Sequence, residues 1–182
     1  MSTDEALETA TFAGGCFWCV EAAFDELAGV ESTTSGYAGG HVDDPSYEAV
    51  CRGNTGHAEV VQVAYDSDRV AFADLLAVFF AVHDPTTLNR EGPDVGSQYR
   101  SAVFYHDDAQ REATEAFIEE LEAQGAYDDA IVTEVEPLDT FWRAEEHHQD
   151  YYEKHPDQPY CAVNVPPKLE KVREKFGELV EA

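Results

Sequence analysis

The spacing of apolar residues along this chain changes period repeatedly, and each change marks an element. Ala6 to Ala13 reads as a strand that passes through Gly14 and Gly15 into a helix beginning at Cys16 or Phe17 and ending near Leu27. That helix carries an apolar stripe of Phe17, Val20, Phe24 and Leu27 at helical spacing. Two short strand-like stretches flank the glycine loop Gly36-Tyr37-Ala38-Gly39-Gly40, and His57 to Tyr65 reads as another strand. Phe72 to Val82 is apolar almost throughout, which predicts a helix in the middle of the core. Ser101 to His106 is strand-like; Asp107 or Asp108 then caps a helix with Ala113, Phe117 and Leu121 inward, closed by Gly125. Ile131 to Glu136 predicts a strand, Glu145 to His155 a polar helix stopped by Pro156, and Lys168 to Val180 a surface helix after Pro166-Pro167. The stretch from His83 to Gln98 has no periodicity, and a loop that long inside a compact domain is usually functional. The order β-α-β-β-α-β-α-β predicts an α+β fold, a mixed sheet with helices packed on it and a split β-α-β core. Without repeats or an interdomain linker, residues 1–182 are expected to form one domain, its core over about 6–155 and a C-terminal tail and helix over 156–182.

Composition narrows the function. The 182 residues hold 38 acidic side chains against 11 basic ones, a net charge of −27, and only four of the basic residues are lysines. No basic patch is offered to phosphate, which excludes nucleic acid as a partner class. No apolar run approaches the roughly 20 residues that span a bilayer. The acidic start Met1-Ser2-Thr3-Asp4-Glu5 is unlike a secretory leader, so a cytoplasmic protein without membrane contact is expected. Four cysteines in such a chain are expected to be catalytic, metal-binding or buried rather than a disulfide framework.

The hexapeptide Gly14-Gly15-Cys16-Phe17-Trp18-Cys19 carries the strongest chemical signal. It sets a thiol at a helix start, where unpaired amide N–H groups and the helix dipole favour the thiolate that a nucleophilic cysteine needs. A structural buried cysteine is the bland alternative. Trp18 lies about 100° from Phe17 on the helical wheel, off the apolar stripe and beside Glu21, Ala22 and Asp25; it reads either as a hydrophobic rest for a substrate or as packing under a loop. Cys19 could close a disulfide with Cys16 if the first turn frays, since helical i,i+3 Cβ atoms lie ~5–6 Å apart and a disulfide needs ~3.5–4.5 Å. A Cys-x-x-Cys pair also fits a thioredoxin-like oxidoreductase or half a zinc site, but Cys51 and Cys161 stand alone and His147-His148 point apart on a helix, so no metal is expected. Alternation in the strand from His57 puts Glu59 on the face of Val61, Val63 and Tyr65, where an acid keeps its proton and can act as a general acid; escape to solvent at the strand end is the alternative. Asp94 in the long loop reads otherwise as a turn residue, and Tyr37, Tyr47 and Tyr99 lie near glycine-rich loops as possible phenolic donors.

These motifs resemble, in order and over nearly the whole chain, the A-type peptide-methionine sulfoxide reductases. The matching segments are Gly14 to Glu21, Gly36 to Gly40, Tyr47 to Cys51, Thr55 to Glu59, His83 to Thr87, Asp94 to Ser101, His148 to Tyr151 and Gln158 to Cys161. The resemblance implies a two-layer α+β sandwich with a ferredoxin-like core, and thiol-dependent reduction of the S epimer of methionine sulfoxide. By it Cys16 is the nucleophile and Glu59 the proton donor, Phe17 and Trp18 hold the substrate methyl, and Tyr47, Asp94 and Tyr99 hydrogen-bond the sulfoxide oxygen and the buried acid. It implies no cofactor, a Cys16 sulfenic acid resolved by a second thiol, thioredoxin as reductant, and a monomer acting on oxidised proteins, peptides or free methionine sulfoxide. Position 19 departs from it, because many relatives carry glycine there. Cys19 and Cys161, the latter in a Pro-bounded and mobile tail, are both candidate resolving thiols, singly or in a relay in which Cys161 passes the disulfide outward, and Cys161 is expected to take part; Cys51 reads as a buried thiol. A general disulfide oxidoreductase and a zinc-binding module are the competing readings.

The charge balance generates a prediction of its own. Self-repulsion at −27 destabilises a compact state unless salt screens it. Thermal stability is therefore expected to rise steeply from low to molar salt in a melting series; a flat response would remove the reading of a protein adapted to a salt-rich interior.

Overall fold

A computed structural model describes residues 7–92 and 94–181; the strand start expected at Ala6, the acidic N-terminus and Pro93 of the long loop lie outside them. The elements in chain order are β1 (Leu7–Gly14), α1 (Phe17–Asp25), β2 (Val30–Ala38), α2 (Tyr47–Cys51), β3 (Ala58–Asp66), α3 (Phe72–Ala81), β4 (Arg90–Glu91), β5 (Asp94–Val95), β6 (Ser101–Tyr105), α4 (Asp108–Ala123), β7 (Glu134–Pro137), β8 (Trp142–Arg143), α5 (Tyr151–Lys154), α6 (Pro159–Lys175) and α7 (Gly177–Glu181). The main sheet has the order β7-β6-β1-β3-β2-β8. Its central four strands pair antiparallel and are linked as β1-α1-β2-β3-α3-β6, the split β-α-β arrangement of a ferredoxin-like core; β7 adds a parallel edge.

Strand alternation sets the layers. Ala10, Phe12, Val61, Val63 and Tyr65 join Phe24 of α1 and Leu75, Leu76 and Phe79 of α3 in the main apolar cluster. Ala13, Ala38, Ala58, Val60, Ala102 and Phe104 form the opposite face, covered by Leu138 and Phe141. The expected α+β sandwich is what forms, and Glu59 falls on the helix-covered face as the alternation requires.

Four local expectations are corrected. The glycine loop is not bracketed by two strands: β2 is a single strand running through Gly36, and Tyr47–Cys51 is a helix capped by Ser46, whose Oγ accepts the Ala49 N–H at 3.1 Å. The polar helix expected over Glu145 to His155 is broken. Asp150 takes a left-handed conformation (φ 53°), and the buried Gln149 amide bonds Ser35 N–H and C=O at 2.9 Å each, binding that segment to β2 instead of to a helix of its own. The long loop is partly ordered by the β4–β5 hairpin and a 3-10 turn at Ser97–Tyr99.

The C-terminal segment is not a loose tail. Helix α6 begins at Pro159, nine residues earlier than expected, and continues through Pro166-Pro167. Each proline removes an amide bond from the helix interior, but Cys161, Val165, Leu169 and Val172 recur on one face and are buried along α1. Packing outweighs the missing bonds. Truncating Leu169→Ala is expected to lower unfolding free energy by about 2–5 kcal/mol in denaturant titrations at molar salt; a change under ~0.5 kcal/mol, typical of a surface site, would mean that α6 is not docked.

Candidate active site

The strand-to-helix turn fixes the first thiol. Gly15 sits at φ +95°, a conformation open to glycine, and a Cβ there would lie 2.4 Å from Glu91 Cγ, so the turn is wedged against the β4–β5 hairpin. Cys16 then caps α1 in extended geometry (φ −63°, ψ 127°), and its carbonyl receives the Cys19 and Val20 amides at 3.1 and 3.4 Å. Its side chain therefore stands at the helix mouth, over the N-terminal amides.

Glu59 reaches that mouth from β3. Its Oε1 accepts the Phe17 amide N–H at 3.0 Å, while Oε2 has no partner among the described residues. The carboxyl is 1% exposed. Burial pushes it up to about 8, against the pull of the Phe17 amide and with the charges of Asp94 and Cys19 adding to the rise. The shift favours the protonated acid at neutral pH.

An aromatic wall surrounds it. Phe17 is fully buried, 5.7 Å from Tyr37, 6.1 Å from Tyr47 and 5.5 Å from His148 between ring centres. Trp18 is not on a polar side, because α5 and α6 cover that face of α1 and bury Glu21 and Ala22 as well. It stacks on Tyr151 at 3.9 Å and donates Nε1–H to His148 Nδ1 at 3.2 Å. Tyr47 lies 4.2 Å from His148, and its amide and the Tyr37 hydroxyl both donate to the Glu145 carboxylate, at 3.0 and 2.9 Å. Tyr47 and Tyr99 lower the thiol of the partly buried Cys51 against the rise that burial imposes on it, and burial raises both phenols. Asp94, on β5, accepts a hydrogen bond from Tyr160 of α6, and burial raises its carboxyl. Every expected site residue thus gathers here. Glu145, His148, Tyr151 and Tyr160 join it without an assigned role in the sequence; the available signal was the pair of matching segments His148 to Tyr151 and Gln158 to Cys161, which covers all but Glu145.

The thiols are graded by depth, with Cys16 7%, Cys19 2% and Cys161 0% exposed. The three share one cluster with Ala22, Val165 and Leu169. The helix end does not by itself leave Cys16 anionic. Burial pushes its thiol well above the ordinary range, its hydrogen bond to Cys19 and the Glu59 charge push the same way, and the Trp18 amide pulls down. Cys19 is lowered, first by the hydrogen bond from Cys16 and then, against burial, by the Lys168 charge and by Tyr160, which lies 3.9 Å from its sulfur. Within the pair, then, Cys16 is held up and Cys19 is pulled down. Cys161 lies in the first turn of α6, its amide capped by Gln158 at 2.9 Å, and burial raises its thiol to about 11; it is packed, not mobile. Among the described residues no three His, Cys, Asp or Glu side chains are grouped to hold a metal, and no helix is long and apolar enough to cross a membrane.

Comparison with known proteins points the same way. A sequence model of the family described as "Peptide methionine sulfoxide reductase" matches residues 8–180. A protein of Natronomonas pharaonis named "Peptide methionine sulfoxide reductase MsrA" is 69% identical over 174 residues, 96% of this chain and 98% of that protein. Mxr1 of Saccharomyces cerevisiae in reduced form superposes with a TM-score of 0.81 at 36% identity, covering 88% of this chain and 92% of that one. The same yeast protein in complex with Trx2 matches at a TM-score of 0.57 and 26% identity, over 81% and 86% of the two chains. The chain therefore belongs to the peptide methionine sulfoxide reductase family, and is an oxidoreductase.

Proposed function

We propose that this enzyme reduces the S epimer of methionine sulfoxide, with Cys16 as nucleophile, Glu59 as proton donor and Cys19 as resolving thiol. The observation that carries the reading is the buried Glu59 carboxyl, whose Oε1 is tied to the Phe17 amide and whose Oε2 is left without a partner among the described residues. A sulfoxide oxygen leaves sulfur only once protonated. Cys16 passes its proton across the shared hydrogen bond to the Cys19 sulfur and attacks the sulfoxide sulfur, while Glu59 gives its proton to the oxygen. The substrate sulfur gains two electrons and departs as a thioether; the Cys16 sulfur loses two and keeps the hydroxyl as a sulfenic acid. Phe17 and Trp18 supply the apolar wall for the methyl group, and Tyr47, Tyr99 and Asp94 the polar side, a division that selects one epimer.

Cys19 then attacks the sulfenic sulfur, the disulfide forms and the oxygen leaves as water. Its place beside Cys16 favours it over Cys161, which lies deeper and holds its proton more firmly. A thioredoxin-type dithiol closes the cycle by exchange at Cys16, the most exposed of the three cysteines, and is itself oxidised to a disulfide; the Trx2 complex of yeast Mxr1 supports such a partner. A monomer in the cytosol completes the reading, since a charge of −27 opposes self-association.

Reduced protein mixed with each epimer of a methionine sulfoxide peptide, without reductant, is expected to yield methionine from the S epimer alone and a Cys16–Cys19 disulfide by mass spectrometry. A Cys16–Cys161 disulfide would transfer the resolving role, and no product from either epimer would overturn the assignment. Because Glu59 acts protonated, the first-turnover rate should hold below pH 8 and fall as pH rises through about 8. Glu59→Gln is expected to slow that turnover by about 10²–10⁴-fold; an unchanged rate would show that another group supplies the proton.

A further inference from the structure

Trp18 and Glu21 stand three residues apart on α1, neighbours on one side of the helix, and a series of buried polar groups leads from one to the other. The Trp18 indole, a donor only, gives Nε1–H to His148 Nδ1 at 3.2 Å. The residue after His148 is Gln149, whose side-chain amide clasps the backbone of Ser35 on β2. Its Oε1 accepts the Ser35 N–H and its Nε2–H donates to the Ser35 C=O, both at 2.9 Å, with a further bond to Ala144 C=O at 3.0 Å. The Ser35 hydroxyl then donates to Glu21 Oε2 at 3.2 Å. Ser35 is fully buried, and Glu21, His148 and Gln149 are 1%, 3% and 5% exposed. The circuit leaves α1 at Trp18, crosses to β2 and returns at Glu21 inside the protein.

A buried carboxyl burdens a fold, and an apolar side chain would cover the same face of α1 with a smaller penalty. What Glu21 provides and an apolar side chain lacks is a hydrogen-bond acceptor at a fixed point one turn along from Trp18. We propose that Glu21 is a positioning residue of the reaction: through Ser35, Gln149 and His148 it holds the Trp18 ring in the orientation that receives the substrate methyl group. The inference rests on the proposed role of Trp18 as a wall of the methyl site. Tyr151 stacks on the indole face at 3.9 Å, and stacking alone leaves a ring free to slide in its own plane. The bond to His148 stops that motion only while His148 is itself anchored. Its anchor is the Gln149 clasp on Ser35, and Glu21 fixes Ser35 from the other side. Burial pushes the Glu21 carboxyl up to about 8, with Asp25 and Asp150 adding to the rise, so glutamine is the neutral substitute that keeps its shape and its bond to Ser35.

The test compares Glu21→Met, Glu21→Gln and Ser35→Ala with the unaltered protein in molar salt. The chain has two tryptophans, Trp18 and Trp142, so the indole N–H signal lost in Trp18→Phe is that of Trp18. Glu21→Met and Ser35→Ala each remove the same hydrogen bond. Each is expected to quicken hydrogen exchange of that N–H, and to raise the half-saturating concentration of an S-sulfoxide peptide, by about fivefold, the weight of one net hydrogen bond. The saturated first-turnover rate should stay within about twofold. The double variant should be no worse than either single one, since the same link is cut in all three, and Glu21→Gln should match the unaltered protein. An acid that merely braces the fold would lower the melting temperature with both readouts unmoved; that result overturns the inference, as would additive effects in the double variant. Should Glu21→Met fail to fold, unchanged indole exchange in Ser35→Ala overturns it by itself. Failure of the methyl-wall reading is seen separately: Trp18→Ala would then leave the half-saturating concentration unchanged while indole exchange still quickened in Ser35→Ala.

Discussion

The site depends on the burial of one carboxyl group. Glu59 is carried inward by strand alternation, walled by aromatic rings, and given a single backbone donor, the Phe17 amide. One amide stabilises a charge far less than the lost water did, so the group holds its proton. A rise from 4.5 to about 8 separates its two charge states by roughly 5 kcal/mol, a sizeable share of the ~5–15 kcal/mol by which a domain is stable. The same hydrogen bond joins β3 to the first residue of α1, so the proton donor and the nucleophile are positioned by one contact. The aromatic wall, the Cys16 turn and the α6 face are arranged around that contact.

Electrostatics works on two scales in this molecule. The surface field of a −27 chain opposes thiolates, and in molar salt it is screened within about 3 Å. Groups inside the site are screened much less by salt, because the intervening medium is protein. The chemistry there is set by near neighbours: a buried acid shifted towards its neutral form and a pair of adjacent thiols. Surface acidity and site basicity are thereby separated by depth.

Much of this was legible in the residues. The period-2 run of β3 identified the face of Glu59, and the glycine approach to Cys16 identified the helix mouth, because both signals are local. Local signals failed where long-range packing decided the outcome. Gln149 looks helical in its neighbourhood yet is paired with Ser35, more than a hundred residues away. Pro166-Pro167 looks like a helix boundary, but the inward stripe from Cys161 to Val172 carries the helix through it. Trp18 falls off the apolar stripe of α1 beside Glu21, Ala22 and Asp25, and of these Glu21 and Ala22 are themselves buried while Asp25 is exposed. The thiolate expected at Cys16 rests on the helix terminus alone; the fold adds burial and a second sulfur, which raise the Cys16 thiol and lower that of Cys19.

The most direct measurement is the ionisation of Glu59 itself, followed by 13C NMR of the glutamate side-chain carboxyl carbons in the reduced protein, with Glu59→Gln identifying the resonance. A midpoint near 8 is the result predicted by a buried acid with one amide partner. A midpoint near 4, the value of a solvated glutamate, would contradict the account.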